Sequence, residues 1–341
     1  MQKRQVTAGV AGVVAGLLAL SACGGDSEAS GGGGGGGAKL DLVGFSILEA
    51  SNAEQFKAFQ ATDAGNGVEF LPSYGASGDQ SRAVEAGKKA DIVHFSLEPD
   101  VQRLVDAGMV ADDWNAGPTK GIYSQSVVVF VVRPGNPEGI ESWDDLTKDG
   151  VEIITPNPAS SGSAKWNILA GWGAAAADGG DEAGAEYTED LLNNAVALPE
   201  SGRDATTLFT SGTGDVLLSY ENEAILAKQN GTDIDYVVPD TTLLIENPGA
   251  VPEDADAEAQ DFVDFLLSDE GQEIYAGFGF RPLADVDVEV DGANDPADAF
   301  PEPGTLLTIG EDFGGWGEAN SKYFDEEEGL VTKLLSETGK G

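Results

Sequence analysis

The chain has 341 residues, and its 18 lysines and arginines against 60 aspartates and glutamates give a formal net charge of −42. This balance argues against nucleic-acid binding, which needs a basic footprint for the phosphate backbone. The chain has a single histidine, His94, and a single cysteine, Cys23, so neither a histidine-based catalytic triad nor a Cys/His zinc site is expected. His94 lies in the apolar run ADIVHFSL, which is typical of a core position.

The N-terminus has the pattern of a secretory signal over residues 1–22. Lys3 and Arg4 precede an apolar run over residues 6–20 that is too short to span a bilayer. The next letters, LSAC, end at Cys23 and resemble a bacterial lipobox, which implies cleavage before Cys23 and a lipid on its sulfur. The alternative is an unmodified cysteine beside an ordinary signal. No intramolecular disulfide can form, because the chain has no second cysteine.

The segment 23–38 is rich in glycine and is predicted to be a flexible tether. The roughly 300 residues that remain suit two lobes better than one. We predict that residues 39–119 begin the first lobe, 120–222 begin the second, 223–276 return to the first, and 277–341 form a C-terminal segment packed mainly on the second.

The first lobe is predicted to be an open α/β sheet, because strand and helix patterns alternate along it. KLDLVGFSI, from Lys39, alternates apolar and polar residues and ends near Ser46, and a Gly/Ser loop around Ser77 follows the next strand. Ligands of such sheets gather outside the carboxyl ends of the strands, where both serines fall. The predicted elements are strands at 39–46, 68–71 and 90–96, and helices at 54–59, 77–89 and 100–110.

The second lobe and the C-terminal segment repeat the alternation. Strands are predicted at 126–132, 151–156, 216–220 and 235–240. Helices are predicted from Ala164, at 187–193 and 221–228, as one amphipathic helix over 262–275, and near 330–335.

Small-residue loops precede helices at three places, around Ser77, Ser161 and Ser201. A helix start presents free backbone N–H groups and about half a positive charge, so these loops predict an anion cradle; ordinary helix capping is the alternative. Ser160 or Ser161 is a natural N-cap, as is Ser77 with Gln80 as a capping-box partner. Outside the glycine run of residues 31–37, the chain has no GxxxxGK[ST] or GxGxxG loop, and it has no evident acid/base pair of carboxylates, so a nucleotide enzyme is poorly supported.

Several segments in sequence order resemble the periplasmic sulfate/thiosulfate-binding proteins of ABC importers. They include SYGASGDQ (73–80), VEIITPNPASSGSAKWNILAGWG, GDVLLSYENEA and SDEGQEIYAGFGFRP. The resemblance implies a two-lobe, type II-like periplasmic-binding-protein fold without enzymatic activity. It also implies a buried dianion between the lobes, held by neutral hydrogen-bond donors.

Ligand-binding residues follow from the resemblance, motif by motif. Tyr220 stands where the family has tryptophan, so a phenol O–H replaces an indole N–H. Arg203 falls at an amide-donor position, with the family's arginine shifted by one residue. The family's aspartate after the first strand is absent; Leu48 or Glu49 lies nearby instead. The full expected set is Ser46, Ser77, Ser161, Gly162, Ser163, Arg203 and Tyr220.

Sulfate is the expected ligand because it offers only acceptors near neutral pH, whereas phosphate keeps a proton and favours an additional acceptor. A carboxylate aimed at buried sulfate would repel it, so we expect Asp79 and Asp204 to point at helix amides or solvent. Other oxyanions (thiosulfate, phosphate, molybdate, tungstate) are the alternatives. A secreted hydrolase or an adhesion protein is a more remote one. The expected partners are sulfate or thiosulfate and a membrane permease, for a monomer anchored outside the cytoplasm through Cys23, with no cofactor and no metal.

Overall fold

The computed structural model describes residues 38–340. The predicted signal and Cys23 lie outside the described residues. Strands and helices alternate through most of this region, as the sequence predicts. The strands are β1 Lys39–Phe45, β2 Glu69–Gly75, β3 Ile92–His94, β4 Ile122–Val132, β5 Ile153–Ile154, β6 Ala195–Ala197, β7 Val216–Tyr220, β8 Asp235–Val237, β9 Thr241–Ala250 and β10 Thr305–Leu307.

The helices cover both halves of the sheet. They are α1 Glu49–Gln60, α2 Ser77–Glu85, α3 Glu98–Asp106, α4 Gly162–Asn194, α5 Gly202–Thr210, α6 Glu221–Gln229, α7 Glu258–Leu266, α8 Asp269–Gly277, α9 Ile309–Asp312, α10 Trp316–Phe324 and α11 Leu330–Glu337, with 3-10 turns at Ser46–Leu48 and Trp143–Thr147.

The strands follow one hydrogen-bonded path in the order β2-β1-β3-β9-β4-β7-β5-β6, with β8 beside β4 and β10 beside β9. In the first lobe, β1 pairs in parallel with both β2 and β3. In the second lobe, β5 pairs in parallel with β6 and β7. Each lobe therefore has its own set of parallel strands, and an open α/β sheet is confirmed in both.

Two long antiparallel strands, β4 and β9, join the lobes. The first half of β4 pairs with β9, and its second half pairs with β7 and β8. Residues 127–132 of β4 are each at most 2% exposed, which explains the unbroken apolar run VVVFVV of a strand buried on both faces. The end of β9 then reaches the first lobe, where Ala250 pairs with Val93.

Several predicted boundaries are wrong. The lobe boundary at residue 223 stays a prediction; α6 and β8 pack beside β4 and β7, and the chain reaches β3 through β9, which sequence analysis missed. The helix predicted over 262–275 is two helices, α7 and α8, since the Ser268 hydroxyl accepts a hydrogen bond from the Gly271 amide and starts a new helix. The first helix begins at Glu49 rather than at residue 54.

The long helix α4 lies at the centre of the second lobe. Gly180 has φ 68° and ψ −160° and breaks α4 into two helical pieces, close to the gap predicted between its two helix signals. The buried Trp166 ring packs edge-on against Trp316 of α10, with centroids 4.7 Å apart. The helices α10 and α11 thus cover α4 from the C-terminal segment.

His94 is a fully buried core residue, as predicted. Its ring packs edge-on against Phe45 and Tyr123. Burial lowers the pKa of His94 to about 3, because the apolar surroundings disfavour the charged imidazolium.

His94 should therefore stay neutral in the folded chain between about pH 8 and about pH 5, whereas the unfolded chain takes up a proton below about pH 6.5. The pKa of His94 is lower in the folded state than in the unfolded state, so its burial does not reduce the free energy of unfolding above about pH 6.5. Below that pH, the free energy of unfolding decreases as the pH decreases, by up to about 1.4 kcal/mol per pH unit from this residue. The imidazole NMR signal of the chain's single histidine measures this directly. A titration midpoint near 6.5 in the folded protein would contradict the burial.

Candidate functional site

The carboxyl ends of the parallel strands meet at one cavity. Phe45 pairs with Gly75 and Gly44 with His94, so β1, β2 and β3 end side by side. The chain after these ends forms the 3-10 turn, the start of α2, and Ser96. From the second lobe come the starts of α4 and α5. The cavity is lined by Phe45, Ser46, Ile47, Gly75, Ala76, Ser77, Ser96, Ser161, Gly162, Ser163, Ser201 and Gly202.

The cavity is small, with a volume of ≈ 10 Å³. Pockets for drug-sized ligands have volumes of about 300–1,000 Å³. The cavity shares Ser46, Gly75, Ala76 and Ser201 with a wider outer cleft of ≈ 430 Å³. The inner cavity is therefore too small for a drug-sized ligand, and the outer cleft lies directly beside it.

Backbone amides are the principal donors in this cavity. The first turn of a helix has N–H groups with no carbonyl partner in the helix, and Ser77, Gly162 and Gly202 are the first residues of α2, α4 and α5. All three are buried, and two of them are glycines that leave their amides uncovered. The dipoles of the helices place partial positive charge at the same point. The arrangement can hold an anion without a cationic side chain.

Gly162 shows how closely the two lobes approach. A Cβ at this position would lie 2.5 Å from the Ser96 hydroxyl and 2.7 Å from Leu97 Cγ, both in the first lobe. Only a residue without a side chain allows the start of α4 to reach the end of β3.

The serine hydroxyls around the cavity differ in their hydrogen bonds. Ser163 Oγ is buried and has no hydrogen-bond partner among the residues that the structure describes. The Ser77 hydroxyl, by contrast, donates to Asp100 Oδ2 at 2.6 Å and accepts from the Ser96 amide at 2.9 Å. The N-cap of α2 is Ala76, so the prediction of Ser77 as N-cap is wrong, and Gln80 bonds to Ser73 and Lys88 instead of forming a capping box. Only the amide of Ser77 is free to meet an anion.

Tyr220 and Arg203 do not line the inner cavity. The Tyr220 hydroxyl is 2.7 Å from Ser96 Oγ, one residue removed from the cavity, and burial raises the pKa of Tyr220 well above its usual range. Arg203 lines the outer cleft, and its guanidinium forms an ion pair of 3.0 Å with the buried Glu223. Direct contact of either side chain with an anion therefore stays a prediction.

The lining of the inner cavity has no carboxylate residue, whereas the lining of the outer cleft includes Glu49, Asp79, Glu200 and Asp204. Asp79 pairs with Arg82, and Asp204 accepts a hydrogen bond of 2.7 Å from the Ser201 hydroxyl. Both residues are exposed, as expected, although Asp204 is bonded to Ser201, a residue that also lines the inner cavity. Within residues 38–340, no group of three or more His, Cys, Asp or Glu side chains is arranged to hold a metal ion.

Sequence reasoning missed Ser96, Ser201 and Gly202 as cavity residues. Ser201 and Gly202 lie in the third small-residue loop, where the motif match drew attention to Arg203 instead. Ser96 is the last residue of a predicted strand, so the expectation that ligands gather at strand ends, which identified Ser46, applied to Ser96 as well.

Residues 49–281 match the family model of the bacterial extracellular solute-binding proteins. The chain belongs to this family. It is 37% identical over 323 residues to a sulfate-binding protein of Synechococcus elongatus, covering 91% of this chain and 90% of the relative. It is 33% identical to a thiosulfate-binding protein of Pseudomonas aeruginosa, with 79% and 83% of the two chains covered.

Among solved structures, this solute-binding protein is similar to the sulfate-binding protein SubI of Mycobacterium tuberculosis. The identity is 46%, the TM-score is 0.79, and the match covers 85% of this chain and all of the other. The two-lobe periplasmic-binding-protein fold and the family resemblance predicted from the sequence are thereby confirmed.

Substitution of Gly162 tests the close approach of the lobes in this solute-binding protein. Gly162→Ala should weaken anion binding by more than about tenfold, and Gly162→Val further, because the new side chain meets Ser96 and Leu97 and holds α4 away from the cavity. Gly317→Ala is the matched control, since a Cβ there has nothing within 4 Å. Calorimetric titration measures both. Equal anion affinity in the Gly162 variants and the control would place the binding site elsewhere.

Proposed function

We propose that the protein is a non-enzymatic, extracytoplasmic receptor that captures sulfate between its lobes and delivers it to the permease of an ABC transporter. The observation that carries the proposal is the convergence of three α-helix starts and a 3-10 turn on one small cavity. The proposed donors are the amides of Ser46, Ser77, Gly162 and Gly202 with the Ser161 and Ser163 hydroxyls.

The chemistry of the lining favours a fully deprotonated oxyanion. Sulfate presents only acceptors, and the cavity lining contains serine hydroxyls and amides but no carboxylate. Hydrogenphosphate carries a proton that needs an acceptor, and the nearby Asp100 and Asp204 carboxylates already accept hydrogen bonds from the Ser77 and Ser201 hydroxyls. Charged hydrogen bonds to backbone amides are short and stronger than neutral ones, so donors alone can compensate the lost hydration of a dianion.

The names of the relatives support the same ligand class. The Synechococcus and Mycobacterium relatives are sulfate-binding proteins, and the Pseudomonas relative is a thiosulfate-binding protein. Thiosulfate has the same charge and tetrahedral shape, so it is the second candidate. We further propose that the receptor is a monomer and that β4 and β9, the two strands that join the lobes, form the hinge.

Sulfate should bind with 1:1 stoichiometry and outcompete phosphate at neutral pH. The physical reason is the donor-only lining, which leaves the proton of phosphate without a partner. Calorimetric titration with sulfate, thiosulfate, phosphate and molybdate in one buffer ranks the anions. Tighter binding of phosphate than of sulfate would contradict the proposal.

We also propose that the mature protein is tethered to the membrane by lipid on Cys23. The support is the LSAC sequence and the glycine-rich segment after it. Among residues 38–340, no helix is both long enough and apolar enough to cross a bilayer.

Expression of the full chain in a bacterial host tests the tether. The wild type should fractionate with membranes and incorporate labelled lipid, whereas Cys23→Ser should do neither, because it lacks the thiol that carries the lipid. Ser21→Thr, two residues away, is a control for the handling of the signal. Lipid labelling that persists in Cys23→Ser would rule out this attachment site.

A further inference from the structure

Each polar atom of Ser96 takes part in a hydrogen bond. This residue was not among the site residues expected from the sequence. Its amide donates to Ser77 Oγ at 2.9 Å. Its carbonyl accepts from the Trp166 indole at 2.9 Å and from the Asn247 side chain at 3.3 Å. Its hydroxyl is 2.7 Å from the Tyr220 hydroxyl. These contacts hold Ser96 at one position between β3, α4 and β9.

The fixed position places the Ser96 hydroxyl at the anion cavity. Ser96 lines the cavity together with Gly162 and Ser163. A Cβ on Gly162 would come within 2.5 Å of Ser96 Oγ, so this oxygen lies beside the free amides at the start of α4. Tyr220 lies behind Ser96 and is fully buried.

The hydrogen bond between the two hydroxyls can have either direction. Each hydroxyl has one hydrogen, and one of the two hydrogens lies in the shared bond. If Tyr220 donates, the Ser96 hydrogen is free to point into the cavity. If Ser96 donates, its oxygen turns lone pairs toward the cavity, which repel an anion. A dianion in the cavity therefore selects the first direction, and the buried phenol keeps its proton because burial raises its pKa.

We propose that Ser96 donates a hydrogen bond to the bound anion and that Tyr220 acts on the anion through Ser96, as a positioning residue. Tyr220 stands where the resembling family has tryptophan, so the donor of this chain at that position is a relay of two hydroxyls instead of one direct contact. Hydrogen bonds in such a chain polarise one another, so the Tyr220 bond strengthens the one that Ser96 makes. This inference rests on the proposed function, since sulfate is its ligand.

A double-mutant cycle tests the relay by sulfate titration of the wild type, Ser96→Ala, Tyr220→Phe and the double variant. Ser96→Ala should lose about tenfold or more in affinity, as expected for one charged hydrogen bond. Tyr220→Phe should lose less, and the double variant should lose no more than Ser96→Ala alone. Tyr123→Phe is the matched control, because Tyr123 is also a buried tyrosine and packs against His94.

Tyrosine labelled at Cζ gives a second readout that a merely structural role would not change. The Tyr220 signal, assigned by its loss in Tyr220→Phe, should shift on sulfate addition in the wild type and stay constant in Ser96→Ala. Thermal unfolding without sulfate checks that each variant is folded. If Ser96→Ala does not fold, Ser96→Cys replaces it, since its thiol is a weak donor of similar size.

The outcomes separate the relay from the proposed function. A wild type that binds no sulfate contradicts both. A wild type that binds sulfate while the two losses add, or while Ser96→Ala keeps full affinity, contradicts the relay alone. Non-additive losses with a sulfate-induced Tyr220 shift that depends on Ser96 support it.

Discussion

Burying a doubly charged anion costs a large hydration free energy, which only closely placed donors can compensate. A full counter-charge is one solution, but the lining of this cavity has no cationic side chain. In the proposed site, backbone amides at helix starts take this part, and they are useful only if several helices point at one spot. That requirement explains the architecture, because parallel strands that end side by side deliver the helix starts of each lobe to the same edge.

The acidic character of the chain is compatible with such a site. Glu49, Asp79, Glu200 and Asp204 lie in the outer cleft, where water and salt screen them; the Debye length is about 8 Å at physiological ionic strength. The inner cavity is shielded from water, so its hydrogen bonds act at short range in a medium of lower dielectric constant. Local donors therefore decide binding, while the net charge of −42 acts mainly on solubility.

Much of the site could be predicted from the sequence, because small-residue loops between strand and helix patterns are local signals. Ser46, Ser77, Ser161, Gly162 and Ser163 all line the cavity. The details that depend on tertiary contacts could not be predicted from the sequence. The hydroxyl of Ser77 is taken up by Asp100, which is 23 residues away, and Tyr220 meets Ser96 across 124 residues.

The fold was predictable to the same extent. Alternating patterns identified both lobes, but the joining strand β9 was missed because TTLLIENPGA mixes apolar residues with Glu246, Asn247 and Pro248. Its pairing with β4 and β3 makes it a strand, a tertiary effect that outweighs local propensity. The break between α7 and α8 depends on one serine cap, a signal that an amphipathic pattern hides.

The central claim is that the anion lies where the helix starts of the two lobes converge. The most direct measurement is a crystal structure with selenate, a tetrahedral dianion whose selenium atom is located by anomalous scattering. The account predicts one strong selenium peak in this cavity, with the selenate oxygens within hydrogen-bond distance of the amides of Ser77, Gly162 and Gly202 and of the Ser96 hydroxyl. A fully occupied selenate at another place, with this cavity free of selenium, would contradict it.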